Sequence, residues 1–239
     1  MDNNREEMEL VKQLNQNFKD ISVVETLKNL ENKFPGTIVF TTSFGYEDQV
    51  ITDIIFKNNI DTEVVTLDTG RLFPETYKVY RSTLEKYKKP VKAYFPPADK
   101  VEKLLFEKGP FSFYESLEKR KECCYIRKVI PLQRALNGKK LWITGLRASQ
   151  SENRSALSLF EWNSSNNIIK YNPLLNWSLE EVKGYVFQHN VPYNSLHDRG
   201  FVSIGCEPCT RAVKPGESFR AGRWWWEQNS GKECGLHGK

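Results

Sequence analysis

Five cysteines carry most of the chemistry open to this chain. Cys206 and Cys209 are spaced as Cys-Glu-Pro-Cys, inside a run from Gly200 to Arg211 whose glycines and proline read as a loop. A lone Cys-x-x-Cys serves as a redox dithiol, as half of a metal site, or as two unrelated thiols. The redox dithiol belongs early in a thioredoxin-like fold, between a strand and a helix. Here the pair falls late, with too little chain left to build that fold. Cys123 and Cys124 turn the reading toward a metal centre. Adjacent cysteines point in diverging directions and suit a single tetrahedral zinc poorly. The separate iron corners of an iron–sulfur cubane can each take one. An iron–sulfur cluster on these four thiolates is therefore expected. Cys234 is left over, and a spare thiol near a cluster is a candidate nucleophile.

Those thiols need a scaffold, and the apolar pattern supplies one. Leu10, Leu14 and Phe18 recur at helical spacing. Ser22 with Glu25 is a capping-box pattern for a second helix, which Pro35-Gly36 ends. Thr37 to Thr42 reads as a buried strand, followed by a helix through Val50, Ile51, Ile54 and Ile55. Glu63 to Gly70 is the second strand, and Pro74 opens a helix to about Tyr87. Val91 to Phe95 is a third strand, and Asp99 to Lys108 a further helix. This alternation predicts an α/β protein with an open, mostly parallel sheet covered on both faces.

Glu115 to Leu136 reads as helical and carries Cys123, Cys124, Arg127 and Lys128, with Pro131 expected to bend or break it. Leu141 to Leu146 is another buried strand, and Ser151 to Asn167 is polar and reads as a loop. Ser178 with Glu181 caps a helix that ends near His189-Asn190. From Val191 onward an irregular lobe is expected. The prediction is one domain over residues 1–239, with residues 229–239 as a mobile catalytic tail.

Composition bounds the rest. With 39% hydrophobic and 13% aromatic residues in 239, the chain can bury a core without disulfides. It has no run of eighteen apolar residues, and the charged stretch from Met1 to Asp20 is no signal peptide. A cytoplasmic protein without membrane contact is expected, in a compartment where thiols stay reduced. The net charge of +5 is mild: a solvated basic surface or an anionic small substrate fits it equally well, the charge alone leaves nucleic acid open, and no nucleic-acid partner is expected.

In open parallel sheets, ligands bind beyond the carboxyl ends of the strands. Two strand ends carry tight, polar turns: Thr41-Thr42-Ser43-Phe44-Gly45 and Leu67-Asp68-Thr69-Gly70. The first enters a helix N-terminus, which favours phosphate. It is neither a Walker loop nor a dinucleotide fingerprint.

Taken together, these stretches resemble the assimilatory adenylylsulfate and phosphoadenylylsulfate reductases, whose fold is adenine-nucleotide alpha-hydrolase-like. Ser43-Phe44-Gly45-Tyr46-Glu47-Asp48 looks like the reductase counterpart of the pyrophosphatase loop. Leu67-Asp68-Thr69-Gly70-Arg71-Leu72-Phe73-Pro74-Glu75-Thr76 resembles the second nucleotide-side motif. Lys121 to Val129 together with Cys206 and Cys209 resembles the cluster signature of the adenylylsulfate branch, and Glu233-Cys234-Gly235-Leu236-His237 the catalytic tail. The resemblance runs from about the first strand to the C-terminus. It implies a 4Fe–4S cluster on Cys123, Cys124, Cys206 and Cys209, and adenylylsulfate reduced to sulfite and AMP in sulfate assimilation. It also implies thioredoxin as reductant and Cys234 as nucleophile. Self-association is common among such relatives. Ser43, Phe44, Gly45, Leu67, Asp68, Thr69, Gly70 and Arg127 fall in the matching motifs and are expected at the substrate.

Reducing an activated sulfate needs a thiolate to attack the sulfonyl sulfur with AMP leaving. Both partners are negative, so fixed positive charge is required. Lys128, Arg147, Arg211, Arg220 and Arg223 are the candidates. His237 either lowers the Cys234 pKa or orders the tail, or stands idle in solvent. Trp224-Trp225-Trp226 reads first as packing for the C-terminal lobe and second as a base-stacking platform. His189 and His197 read as structural. Two other function classes compete: an adenylating enzyme of the pyrophosphatase type, opposed by the missing Gly-Gly, and a metal-stapled nucleic-acid module, opposed by Cys234. The residues leave open adenylylsulfate against its 3′-phosphorylated analogue, although in the family the cluster accompanies the former.

Overall fold

The computed structural model describes residues 2–150 and 156–227. Among them, six strands form one sheet: β1 (Ile38–Thr42), β2 (Glu63–Leu67), β3 (Lys92–Tyr94), β4 (Leu141–Ile143), β5 (Phe160–Asn163) and β6 (Ile168–Tyr171). Their order is β3-β2-β1-β4-β6-β5, with every pairing parallel except β5 on β6. The chain winds outward from β1 through β2 to β3, then returns to start again at β4. The two halves part between β1 and β4, which is the point where open sheets bind ligands.

The strands are short apolar runs because both faces are covered. Ile38 and Phe40 of β1 join Ile143 of β4 in the larger core, with α2 (Val23–Lys33) and α3 (Tyr46–Lys57). Val39, one residue out of phase, packs on the opposite face with Val65, Trp142 and Leu132. The first helix, α1 (Asp2–Asn17), buries Leu14, and α4 (Pro74–Tyr87) begins at its proline as expected. Next along the chain is α5 (Ala98–Lys108). The last helix among the described residues, α8 (Leu179–Gln188), has the full reciprocal capping box between Ser178 and Glu181. None of the described helices is long and apolar enough to cross a membrane.

Two expectations need correction. The stretch from Ser151 to Asn167 is not all loop, since β5 lies within it and pairs antiparallel with β6. Its polar residues hid the strand because they are paired across the ladder. Glu161 faces Lys170, and their side chains meet at 3.1 Å in a buried setting. The second correction concerns Pro131, expected to bend or break its helix, which continues through it by way of a wider turn. Leu117–Cys124 (α6) runs into a π-turn at Tyr125–Val129 and on into Ile130–Leu136 (α7), with helical dihedrals at both junctions. Proline lacks an N–H and its ring presses on the carbonyl four residues back, here that of Arg127. The wider turn, in which the Ile130 N–H bonds the Tyr125 carbonyl, accommodates it.

Ile143 is the last residue of the three-residue central strand β4 and is fully buried between Phe40 and Tyr171. Ile143→Ala should therefore lower the unfolding free energy by about 2–5 kcal/mol. Urea unfolding should show this as a lower midpoint at unchanged slope. A loss under about 1 kcal/mol would mean that the sheet is not centred there.

Candidate functional site

The four expected ligand cysteines come together. Cys124 ends α6, Cys123 precedes it, and Cys206 and Cys209 flank a single helical turn at Glu207–Cys209. All four are free thiols and line one small pocket with Phe113, Arg120 and Trp224. Cys124, Cys206 and Cys209 are buried, and Cys123 is half-buried. Several bonds fix the later pair to the sheet. The Glu207 N–H donates to the Arg71 carbonyl at 2.8 Å, Tyr114 donates to the Pro208 carbonyl at 2.6 Å, and Thr69 Oγ1 lies 3.2 Å from Cys206 Sγ. Trp224 packs into this pocket, as the packing reading expected, and Arg120 lies over its ring while making a twofold ion pair with Glu227. Trp225, by contrast, is half exposed.

Three buried donors beside the thiols have no acceptor among the described residues: Trp224 Nε1, Arg127 Nε and Arg223 Nε. Nor do any three His, Cys, Asp or Glu side chains among those residues gather closely enough for a single metal ion. Charge is arranged unevenly around the thiols. Burial disfavours the Cys206 thiolate, yet Lys128, the Thr69 hydroxyl, Arg223 and Arg127 outweigh it and hold this thiol below its usual range. Burial and the neighbouring Cys206 push Cys209 up to about 12.

A cavity of about 220 Å³ opens next to this pocket, beyond the carboxyl ends of β1 and β4. Lys128, Cys206 and Trp224 line both. Ser43 and Gly45 form its floor after β1, Leu67 and Thr69 one side after β2, and Arg220 and Arg223 the lobe side. Gly45 caps α3 without a side-chain bond, so the first turn of that helix faces the cavity uncapped. Arg223 reaches Ile204 O at 3.2 Å by lying against Gly205, where a Cβ would collide with its guanidinium.

Other expected residues act behind the wall. Phe44 takes φ +60° and sends its ring into the core, stacked on Tyr80 at 5.0 Å, so only its backbone shapes the turn. Asp68 accepts from the Gly70 N–H at 2.8 Å and from Tyr77 at 3.0 Å. Gly70 has φ +70°, a value that favours glycine, and this tight turn leaves the Thr69 carbonyl to accept from Arg127 at 2.7 Å. Arg147 is buried and bonded to Glu47 at 2.7 Å. Arg211 is tied to Glu217 at 2.7 and 2.8 Å and lines neither cavity. Cys234 and His237 lie outside the described residues.

The wall also holds residues not named for the substrate from the sequence: Glu47 and Asp48 of the quoted motif after β1, Thr144, Gly145 and Gln150, and His197, which was read as structural. Gly145 ends the β4 run, and its position was the available signal. A Cβ there would run into the Asp48 carboxylate. Asp48 accepts from the Ser43 N–H at 2.5 Å and its hydroxyl at 2.6 Å, drawing the turn tight.

Comparison with known proteins identifies the family. Residues 37–212 match the phosphoadenosine phosphosulfate reductase domain family. The adenosine 5′-phosphosulfate reductase of Agrobacterium fabrum is 50% identical over 202 residues, covering 84% of this chain and 78% of its own length. That of Allochromatium vinosum is 47% identical over 219 residues, covering 92% and 85%. Among solved structures, the phosphoadenylyl-sulfate reductase of Candida auris, a phosphate complex, superposes with a TM-score of 0.72 at 34% identity, over 85% of this chain and 96% of that one. The FMN adenylyltransferase of Candida glabrata shares the fold alone, with a TM-score of 0.54 at 17% identity over 94% and 84%.

Asp48 gives this site a pH signature. Burial raises its carboxyl from 3.8 to about 6, partly opposed by the two Ser43 bonds and reinforced by Glu47. A carboxyl held above its unfolded value favours the folded state when protonated. Its contribution is complete below about pH 4 and is lost as pH rises through about 6. Stability should fall by on the order of 2–3 kcal/mol from this group across that window. Asp48→Asn, which keeps an acceptor for Ser43, should flatten that part of the pH–stability curve. Parallel curves for the two proteins would contradict the assignment.

Proposed function

The chain belongs to the phosphoadenosine phosphosulfate reductase domain family, and on that premise we propose the following reaction. The protein reduces adenylylsulfate (adenosine 5′-phosphosulfate) to sulfite and AMP, with Cys234 as nucleophile and thioredoxin as electron donor. It is an oxidoreductase acting on a sulfur group, and the reaction is that of sulfate assimilation. The reading is carried above all by the wall shared between the thiol pocket and the cavity, where Lys128 belongs to both. An anionic nucleotide would lie there against fixed cations at the carboxyl end of the sheet.

Cys123, Cys124, Cys206 and Cys209 would hold a 4Fe–4S cluster. Several features support the fit. Four free thiols from two distant segments line one pocket. One pair ends α6 and the other frames the turn at Glu207–Cys209, and a cubane can take one thiolate on each of its separate irons. The unpartnered N–H groups of Trp224, Arg127 and Arg223 supply donors of the kind that cluster sulfurs accept. Bound there, the cluster would supply a fixed anionic centre, ligated by thiolates.

The residues of the chain do the rest. Ser43 and Gly45 with the open first turn of α3 receive the nucleotide on its phosphate side. Lys128, Arg220 and Arg223 neutralise the sulfonyl end and orient it. The Cys234 thiolate attacks the sulfonyl sulfur, the S–Sγ bond forms, the bond from sulfur to the phosphate oxygen breaks, and AMP leaves with that electron pair. A thioredoxin thiolate then attacks Cys234 Sγ and sulfite departs. The second thioredoxin thiol resolves the mixed disulfide and completes the two-electron reduction. We place this chemistry in the cytoplasm, where thiols are kept reduced.

Two measurements test the proposal. Cys206→Ala should lose bound iron and visible absorption and unfold more readily, since the ligands join distant segments. Full iron content would remove Cys206 from the ligand set. With adenylylsulfate but no thioredoxin, the wild type should release one equivalent of AMP and stop, with sulfonate on Cys234 seen in the intact mass. Cys234→Ser should keep its iron and form no adduct, because a hydroxyl is a far weaker nucleophile than a thiolate. Continued sulfite release by that variant would overturn the mechanism.

A further inference from the structure

We propose that His197 is a substrate-binding residue whose Nε2 accepts a hydrogen bond from a ribose hydroxyl of the nucleotide. The assignment rests on the adenylylsulfate reading above. His197 was expected to be structural, and one of its ring nitrogens is. Nδ1 lies 2.7 Å from the Phe201 carbonyl oxygen. A carbonyl only accepts, so Nδ1 carries the proton and Nε2 of the neutral ring presents a lone pair. Burial favours this neutral form, against the Phe201 carbonyl and the Glu47 and Asp198 charges, and holds the ring below its usual pKa. Lys183 adds to that lowering.

The ring is held still. It stacks on Tyr46 with centroids 4.0 Å apart and planes 13° from parallel, and Tyr46 stacks in turn on Tyr193. His197 forms part of the cavity wall. Its Nε2 is closed to bulk water and meets no donor among the described residues. A buried acceptor left unpaired is costly, and one in a ring that lines a cavity marks a place for a donor to arrive.

The chemistry of the nucleotide narrows that donor. Its phosphate and sulfate groups are deprotonated and only accept. The donors are the adenine amino group and the two ribose hydroxyls. Glu47, the second residue of α3, lines the same cavity. Arg147 and Gln150 both donate to its Oε1, which holds that carboxylate in place. Two acceptors on one cavity suit the adjacent hydroxyls of a ribose, and carboxylates take ribose hydroxyls in dinucleotide folds. The adenine amino group is flanked by ring nitrogens that accept, which a second acceptor would repel.

Calorimetric titration of the full-length, iron-loaded protein tests this with AMP, 2′-deoxy-AMP, 3′-deoxy-AMP and purine riboside 5′-monophosphate, which lacks the amino group. His197→Phe keeps a flat ring against Tyr46 and removes the acceptor. It should bind AMP about tenfold more weakly than the wild type, the size of one good hydrogen bond. With one of the two deoxy nucleotides the gap should close, and with the purine nucleotide it should persist. His197→Gln, whose amide oxygen reaches about as far as Nε2, should recover part of the AMP affinity. A melting curve checks folding, and if His197→Phe melts early, His197→Met gives the same comparison. The proposal is overturned by an absent gap for AMP, by a gap that survives both deoxy nucleotides, or by one that closes only with the purine nucleotide. If the wild type itself binds no AMP, the adenylylsulfate reading falls, a failure recognisable without any variant.

Discussion

Lys128 stands in the wall shared by the pocket of four thiols and the cavity at the carboxyl end of the sheet. A thiolate-ligated cluster and a phosphosulfate are both anionic. Brought close in a partly desolvated interior, they would repel by several kcal/mol at an effective dielectric of about 20. A single ammonium between them attracts both. Arg127 reinforces the thiol side from a buried position fixed on the Thr69 carbonyl, while Arg220 and Arg223 reinforce the cavity side from the lobe. The Trp224 ring lies beneath these cations, with Arg223 at 4.7 Å and Arg220 at 5.8 Å from its centroid.

The position of Lys128 follows from one helix and its irregularity. Cys123 and Cys124 stand just upstream, and the π-turn from Tyr125 to Val129 carries Arg127 and Lys128. Pro131 gives a physical reason for the wide turn at that point. The second cysteine pair is brought to the first by contacts at the end of β2, through Arg71 and Thr69, and by Tyr114. The Arg120–Glu227 ion pair is almost wholly buried and tied by two bonds, so it fixes the lobe only while both partners remain.

How much of this the sequence disclosed depended on the kind of signal. Continuous apolar runs such as Ile38 to Phe40 and Val64 to Val65 revealed the parallel sheet, because strands covered on both faces have no polar side. The β5–β6 hairpin was hidden, since its buried Lys170 reads as a surface residue until Glu161 is seen opposite it. The cysteines and the turns after β1 and β2 were legible from residue type and spacing. Arginines were not, because spacing says nothing about partners. Arg220 and Arg223 reach the cavity, whereas Arg147 and Arg211 are engaged by Glu47 and Glu217. His197 was read as structural, and its stacking partner Tyr46 comes from a distant part of the chain.

The proposed coupling of cluster and substrate through Lys128 is tested most directly by Lys128→Gln, a slightly shorter polar side chain without the charge. The measurement is AMP release in a single turnover, with iron content determined on the same sample. Loss of one charge-assisted contact is worth about 1.5–3 kcal/mol, which is roughly a tenfold to hundredfold fall in rate. The account predicts that fall with iron content unchanged. A variant that keeps its iron and releases AMP at the wild-type rate would contradict it.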